Sequence, residues 1–100
     1  MPTLFTVNQS PQNFDDRLLK IMTEKDAIVL IENGVLHSCQ DEFFKLFTHA
    51  KITSNNPKIY VIDSDLSLRG LQRSIYPEIK HISYADFVEL CLQFDNVTAW

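Results

Sequence analysis

Ala27-Ile28-Val29-Leu30-Ile31, followed by Glu32-Asn33-Gly34, is the stretch that decides the fold. The apolar run has no polar face. A strand of that kind is covered on both sides, as in a parallel sheet flanked by helices. Asn33-Gly34 reads as the turn that ends it. Upstream, Thr3–Asn8 (TLFTVN) is rich in β-branched and aromatic residues and reads as a strand, closed by the turn Asn8-Gln9-Ser10-Pro11. Downstream, Lys58–Ile62 (KIYVI) and Lys80–Ser83 (KHIS) read as two further strands.

Helical patterns fall between these strands. Asn13 is placed as an N-cap with Asp15 and Asp16 in the first turn, and Phe14, Leu18, Ile21 and Met22 follow at helical spacing up to Thr23–Lys25. Asp41–Ala50 carries Phe43, Phe44, Leu46 and Phe47 and reads as a second helix, followed by a loop at Ser54–Pro57. Asp63–Gly70 reads as a short helical turn with a glycine terminator. Ser83-Tyr84-Ala85-Asp86 resembles a capping box with Asp in the usual Glu place, and Phe87, Leu90, Cys91 and Phe94 mark one stripe of the helix it opens. The tail Asn96–Trp100 shows no periodicity. Strand–helix alternation predicts an α/β fold with a mostly parallel sheet and helices on both faces.

The chain has 100 residues, which predicts one domain over 1–100. Nine Lys and Arg against 13 Asp and Glu leave a net charge of −4, a poor basis for direct nucleic-acid binding. The longest purely apolar run, Ala27–Ile31, is far short of the roughly 20 residues that span a bilayer, so no membrane partner is expected. Met1-Pro2-Thr3-Leu4 lacks a basic segment before an apolar stretch, and two cysteines make no disulfide scaffold, so the expectation is a cytoplasmic protein. Gly34 and Gly70 are the only glycines and cannot form a Gly-rich phosphate loop.

LFTVNQSP, AIVLIENGV, IYVIDSDLSLRGL, ISYADFVELC and the terminal AW, in that order and spacing, resemble the TusB/DsrH family of sulfur-relay proteins. The resemblance spans nearly the whole chain. It implies a small flavodoxin-like, three-layer domain with four to five strands. It also implies two homologous partners, TusC-like and TusD-like subunits, in a heterohexamer that passes persulfide sulfur to a TusE-like acceptor. That sulfur ends in the 2-thio group of the tRNA wobble uridine. In the related DsrE–DsrF–DsrH complex the sulfur serves oxidative metabolism. In the Tus branch the transfer cysteine belongs to the TusD-like subunit, which implies an architectural, non-catalytic role here. Some DsrH members carry a cysteine in the first helix region, where this chain has Leu18 or a residue beside it. The departure leans to the TusB branch.

The residues themselves offer few sites. Cys39, just before the second helix and two residues from His37, has two readings, a persulfide carrier or a partly buried loop residue. A helix N-terminus favours a thiolate, whereas the nearby Asp41 and Glu42 disfavour it. Cys91 lies on an apolar stripe and reads as core. His37, His49 and His81 lack the spacing of a zinc site. Asp63 and Asp65 follow a strand, and read as capping the next turn rather than as a phosphoacceptor or metal pair. The Asn8–Pro11 loop has no glycine and a proline without an N–H, which argues against a flavin phosphate. No cofactor is expected. The apolar surplus points instead to a subunit interface, with Phe43, Phe47, Leu66, Leu68, Arg69, Leu71 and Trp100 as its candidates.

Overall fold

The computed structural model describes residues 2–15, 17–23, 25–39, 58–71 and 79–100. Strand β1 (Thr3–Val7) is followed by the single-turn helix α1 (Leu18–Ile21) and strand β2 (Ala27–Leu30). A 3-10 segment spans Glu32–Cys39. Strand β3 (Ile59–Ile62) runs directly into helix α2 (Asp63–Leu68). Strand β4 (Lys80–Ile82), helix α3 (Tyr84–Cys91) and strand β5 (Asn96–Ala99) complete the chain. The expected helix over Asp41–Ala50 and the loop at Ser54–Pro57 lie outside the described residues.

All neighbouring strands are parallel, in the order β4-β3-β2-β1-β5. Every residue of β2 is buried, as its unbroken apolar run requires. Alternate residues feed opposite cores. Phe5, Val7, Ile28, Leu30, Ile59 and Val61 face one core, closed by Leu18, Met22, Val35 and Leu66. Leu4, Ala27, Val29 and Ile62 face the other, closed by Leu90 with Phe87, Cys91 and Phe94 of α3 and its C-terminal turn. The handedness of the crossovers explains this division. The steps from β1 to β4 all advance in one direction across the sheet, so right-handed connections lie on one face. The return from β4 to β5 runs the opposite way and puts α3 on the other face.

Three hydrogen bonds fix β1 against β2. Buried Asp26 accepts the N–H of Thr3 at 2.9 Å and that of Thr23 at 2.9 Å, tying the starts of β1 and β2 together. At the other end, the Val7 carbonyl accepts from Ile31 at 3.0 Å.

Three expectations need correction. The first helix does not start at an Asn13 cap. Asn13 closes a turn on the Ser10 carbonyl at 3.0 Å, and α1 begins at Leu18 without a side-chain cap. The Asp15 carboxylate instead accepts the Arg17 N–H at 3.1 Å, and the Asp15 carbonyl accepts from the Trp100 indole at 2.8 Å. Those bonds commit the segment to a turn. Ile21, expected inward, is exposed. Second, Asn33-Gly34 is part of the 3-10 segment rather than a simple turn, and Glu32 adopts the left-handed backbone, with φ of 51°. Third, the tail is not irregular. It forms edge strand β5 beside β1, from Asn96 opposite Thr3 to Ala99 opposite Thr6.

Gly34 is needed for room. A Cβ built there would lie 1.8 Å from the Val7 carbonyl oxygen, the same oxygen that accepts from Ile31. Relief requires moving the backbone of β1. Gly70, with φ of 73°, has open space and is needed for its conformation alone. Gly34→Ala is expected to cost about 3 kcal/mol or more, at the upper end of overpacking effects, and Gly70→Ala roughly 1 kcal/mol. Urea unfolding measures both; a Gly34→Ala chain as stable as wild type contradicts the close approach.

Candidate functional site

In open parallel sheets, sites gather at the carboxyl ends of the strands, above all where the strand order reverses. Here that reversal lies between β1 and β5. The chain's own side chains occupy the region. Trp100 leaves the end of β5 with its backbone N–H on the Thr6 carbonyl at 2.9 Å. Its ring meets Phe5 edge-on, with centroids 6.2 Å apart. Behind the Asn8–Pro11 loop, the buried His37 ring donates from Nε2 to the Gln9 carbonyl at 3.0 Å, which fixes its tautomer. Phe14 packs edge-on against it at 4.9 Å. Burial pushes the His37 pKa below its ordinary 6.5, partly opposed by the Gln9 bond.

A second polar group stands at the ends of β2, β3 and β4. Buried Asp65 accepts the Glu32 N–H at 2.8 Å, which holds Glu32 in its left-handed conformation. The Tyr84 hydroxyl hydrogen-bonds the Asp65 carboxylate, and partial desolvation together with the negative charges of Asp65 and Glu32 raises the phenol above its ordinary 10.0. Arg69 bridges the same group, donating to the Asn33 side chain at 3.1 Å and to the Asp65 carbonyl at 3.1 Å. Asp63 pairs with His81 at 2.7 Å, so the expected capping of α2 by Asp63 and Asp65 is not found: the helix has no side-chain cap, and both carboxylates bond other elements. These bonds lock three loops together. Among the described residues no three His, Cys, Asp or Glu side chains converge as a metal site.

The two cysteines are separated by the sheet. Cys39 ends the 3-10 segment, packs against the Phe5–Ile28 core, and lies 3.7 Å from the Ser38 hydroxyl. Cys91 packs against the opposite core. Opposite faces preclude a disulfide between them.

The interface candidates scatter. Phe43 and Phe47 lie outside the described residues. Leu66 is fully buried, and Leu71 and Trp100 pack against the same core. Arg69 serves the loop network, while Leu68 stands 79% exposed. The sequence reading missed an outward row on α3, Tyr84, Val88 and Leu92. Its signal in the sequence is a spacing of four on the same helix as the inward stripe Phe87, Leu90, Cys91 and Phe94.

An all-parallel α/β domain whose described strand-end loops are bonded to one another, with both cysteines partly buried against its cores, is a domain built to hold its shape. Comparison with known proteins gives its family. The model of the family described as DsrH like protein matches residues 9–97. Protein TusB of Yersinia pestis is 33% identical over 97% of this chain and 99% of its own length, and Protein TusB of Yersinia pseudotuberculosis shows the same identity and coverage. The solution structure of protein Tm0979 from Thermotoga maritima shares the fold with a TM-score of 0.66, at 24% identity over 91% of this chain and 92% of that one. The chain belongs to the TusB/DsrH family.

The buried His37 makes stability depend on pH. Above its ordinary value the ring is neutral in both states; below it the unfolded chain takes a proton that the folded chain resists. Stability is therefore present above about pH 6.5 and is lost as pH falls toward the folded value. The urea midpoint is expected to drop between about pH 7 and about pH 5. His37→Gln, which keeps an N–H for the Gln9 carbonyl, is expected to shrink that drop; an unchanged pH profile contradicts it.

Proposed function

We propose that this chain is a structural, non-catalytic subunit of a TusBCD-type sulfur-relay complex serving 2-thiolation of the tRNA wobble uridine in the cytoplasm. The end-to-end similarity to proteins named TusB carries the reading. In this role the domain holds a sulfur-carrying TusD-like subunit and a TusC-like subunit in a heterohexamer, and sulfur leaves through the TusD-like cysteine to a TusE-like acceptor. Its net charge of −4 suits a component that leaves tRNA contact to a downstream enzyme. No helix among the described residues is long and apolar enough to cross a membrane.

The cysteine positions support the architectural role. Cys91 is partly buried against the α3 core, and Cys39 is partly buried against the other. Leu18, at or beside the place where some DsrH members carry cysteine, is fully buried and closes the first core. A thiol at that site would face apolar side chains, away from an incoming persulfide. The match to the DsrH-like family model supports a second reading, a subunit of a sulfur-oxidation complex. Leu18 weighs against it.

Co-expression with TusC-like and TusD-like subunits tests the proposal. The three chains are expected to elute together in size-exclusion chromatography; elution of this chain apart from both contradicts it. After incubation with a cysteine desulfurase and cysteine, mass spectrometry is expected to find the added sulfur on the TusD-like chain. A one-sulfur gain on Cys39 would instead make this chain a sulfurtransferase in its own right.

A further inference from the structure

Strand β5 is the outermost strand on its side of the sheet, and its inner edge is spent on β1. The Trp100 N–H bonds the Thr6 carbonyl at 2.9 Å. Backbone groups alternate sides along a strand, so those of Thr98 and Asn96 also turn toward β1. Those of Val97 and Ala99 turn outward, where no described strand meets them. All four residues of β5 are exposed.

The two edges of the sheet are built differently. At the far edge, β4 is three residues long and carries Lys80 and His81. Short length and charge, Lys above all, keep an edge strand from pairing with another chain. Asn96-Val97-Thr98-Ala99 contains no charged residue, no Pro and no Gly. Nothing in its composition guards it.

This edge is complementary to itself. A two-fold axis normal to the sheet sets β5 antiparallel to β5 of a second copy. Centred on Thr98, the axis lets Val97 exchange both backbone bonds with Ala99 of the second copy. It also sets Thr98 opposite Thr98, a favourable cross-strand pair. No charge lies in the paired stretch. Asp95 stands before it, about 20 Å from its counterpart at about 3.3 Å per residue, well beyond a Debye length of about 8 Å. Asp86 and Glu89 are kept apart as well. They line a groove with Tyr60 of β3 and Ile82 of β4, on the flank of α3 away from β5. The pairing needs no group that this chain does not itself supply. We propose that the β5 edge joins two copies of this chain into one continuous sheet. A heterohexamer of three chain types holds two copies of each, so the pairing is compatible with the role proposed above and goes beyond it.

Sedimentation of the isolated chain, with amide exchange followed by NMR, tests the pairing. The dimer fraction is expected to rise with concentration, and the Val97 and Ala99 amides to gain protection in step with it. Val97→Pro removes an outward donor and leaves the bonds to β1 in place. It is expected to weaken the dimer at least about tenfold. Ala99→Lys opposes the same edge through a guarding charge and decides the matter where Val97→Pro does not fold. Lys80→Glu, on the opposite edge, is expected to dimerise as wild type. A chain that stays monomeric at every concentration, or a dimer indifferent to both β5 variants, overturns the edge pairing. Protection of Val97 and Ala99 that arises only on adding TusC-like or TusD-like chains overturns the choice of a second copy. The dimer is read on this chain alone, so its failure leaves the subunit reading intact, and failure to bind those two chains leaves the dimer intact.

Discussion

The parallel ladder between β1 and β2 is the constraint on which the rest of this domain depends. Leu4 to Val7 pair with Ala27 to Leu30 residue for residue. Both strands bury side chains on both faces, so a slip of one residue would exchange the contents of the two cores. The ladder is fastened at both ends. Asp26 gathers the Thr3 and Thr23 amides at one end, and the Val7 carbonyl takes the Ile31 amide at the other. Gly34 passes so close to that carbonyl that no side chain fits. The 3-10 segment, His37 and Cys39 all follow from this crossing. Asp65 adds the last tie by holding Glu32 in its left-handed turn.

From that ladder the two faces acquire different characters. The described parts of the connections from β1 to β4 pack on one face, and the return crossover from β4 to β5 has the other. The first face is closed by α1, the 3-10 segment, α2 and Trp100. The second is closed by α3, whose outer row remains apolar. The loops at the strand ends are spent on bonds to one another, through Asp65, Arg69 and Tyr84. A domain arranged in this way offers a rigid body and a surface, which suits a subunit that positions a sulfur-carrying partner.

Much of this was legible in the residues. The double-faced run Ala27–Ile31 implied a covered parallel strand, and β2 is buried throughout. The Ser83–Asp86 capping box is present with both of its hydrogen bonds. Cys91 packs, partly buried, against the core that its helical stripe implied. The misreadings share a cause. The start of α1 is set by the Trp100 indole on the Asp15 carbonyl, a contact spanning 85 positions that no local propensity encodes. Strand β5 is exposed at every position, so it has no buried–exposed alternation to read; its ladder with β1 makes it a strand. Trp100, on the same aperiodic tail, is held by the Phe5 core and the Asp15 carbonyl, contacts equally distant in the sequence. Apolarity alone does not separate a side chain that closes its own core, as Leu66 does, from one that faces a partner.

In the proposed role this chain shapes the relay without carrying sulfur. Its most direct test is a thiol-free chain, Cys39→Ser with Cys91→Ala, placed in cells that lack the native gene and scored by the 2-thiouridine content of their tRNA. Thiolation equal to that restored by the wild-type chain is expected. Loss of the thio group while the variant still assembles with its partner subunits would contradict it.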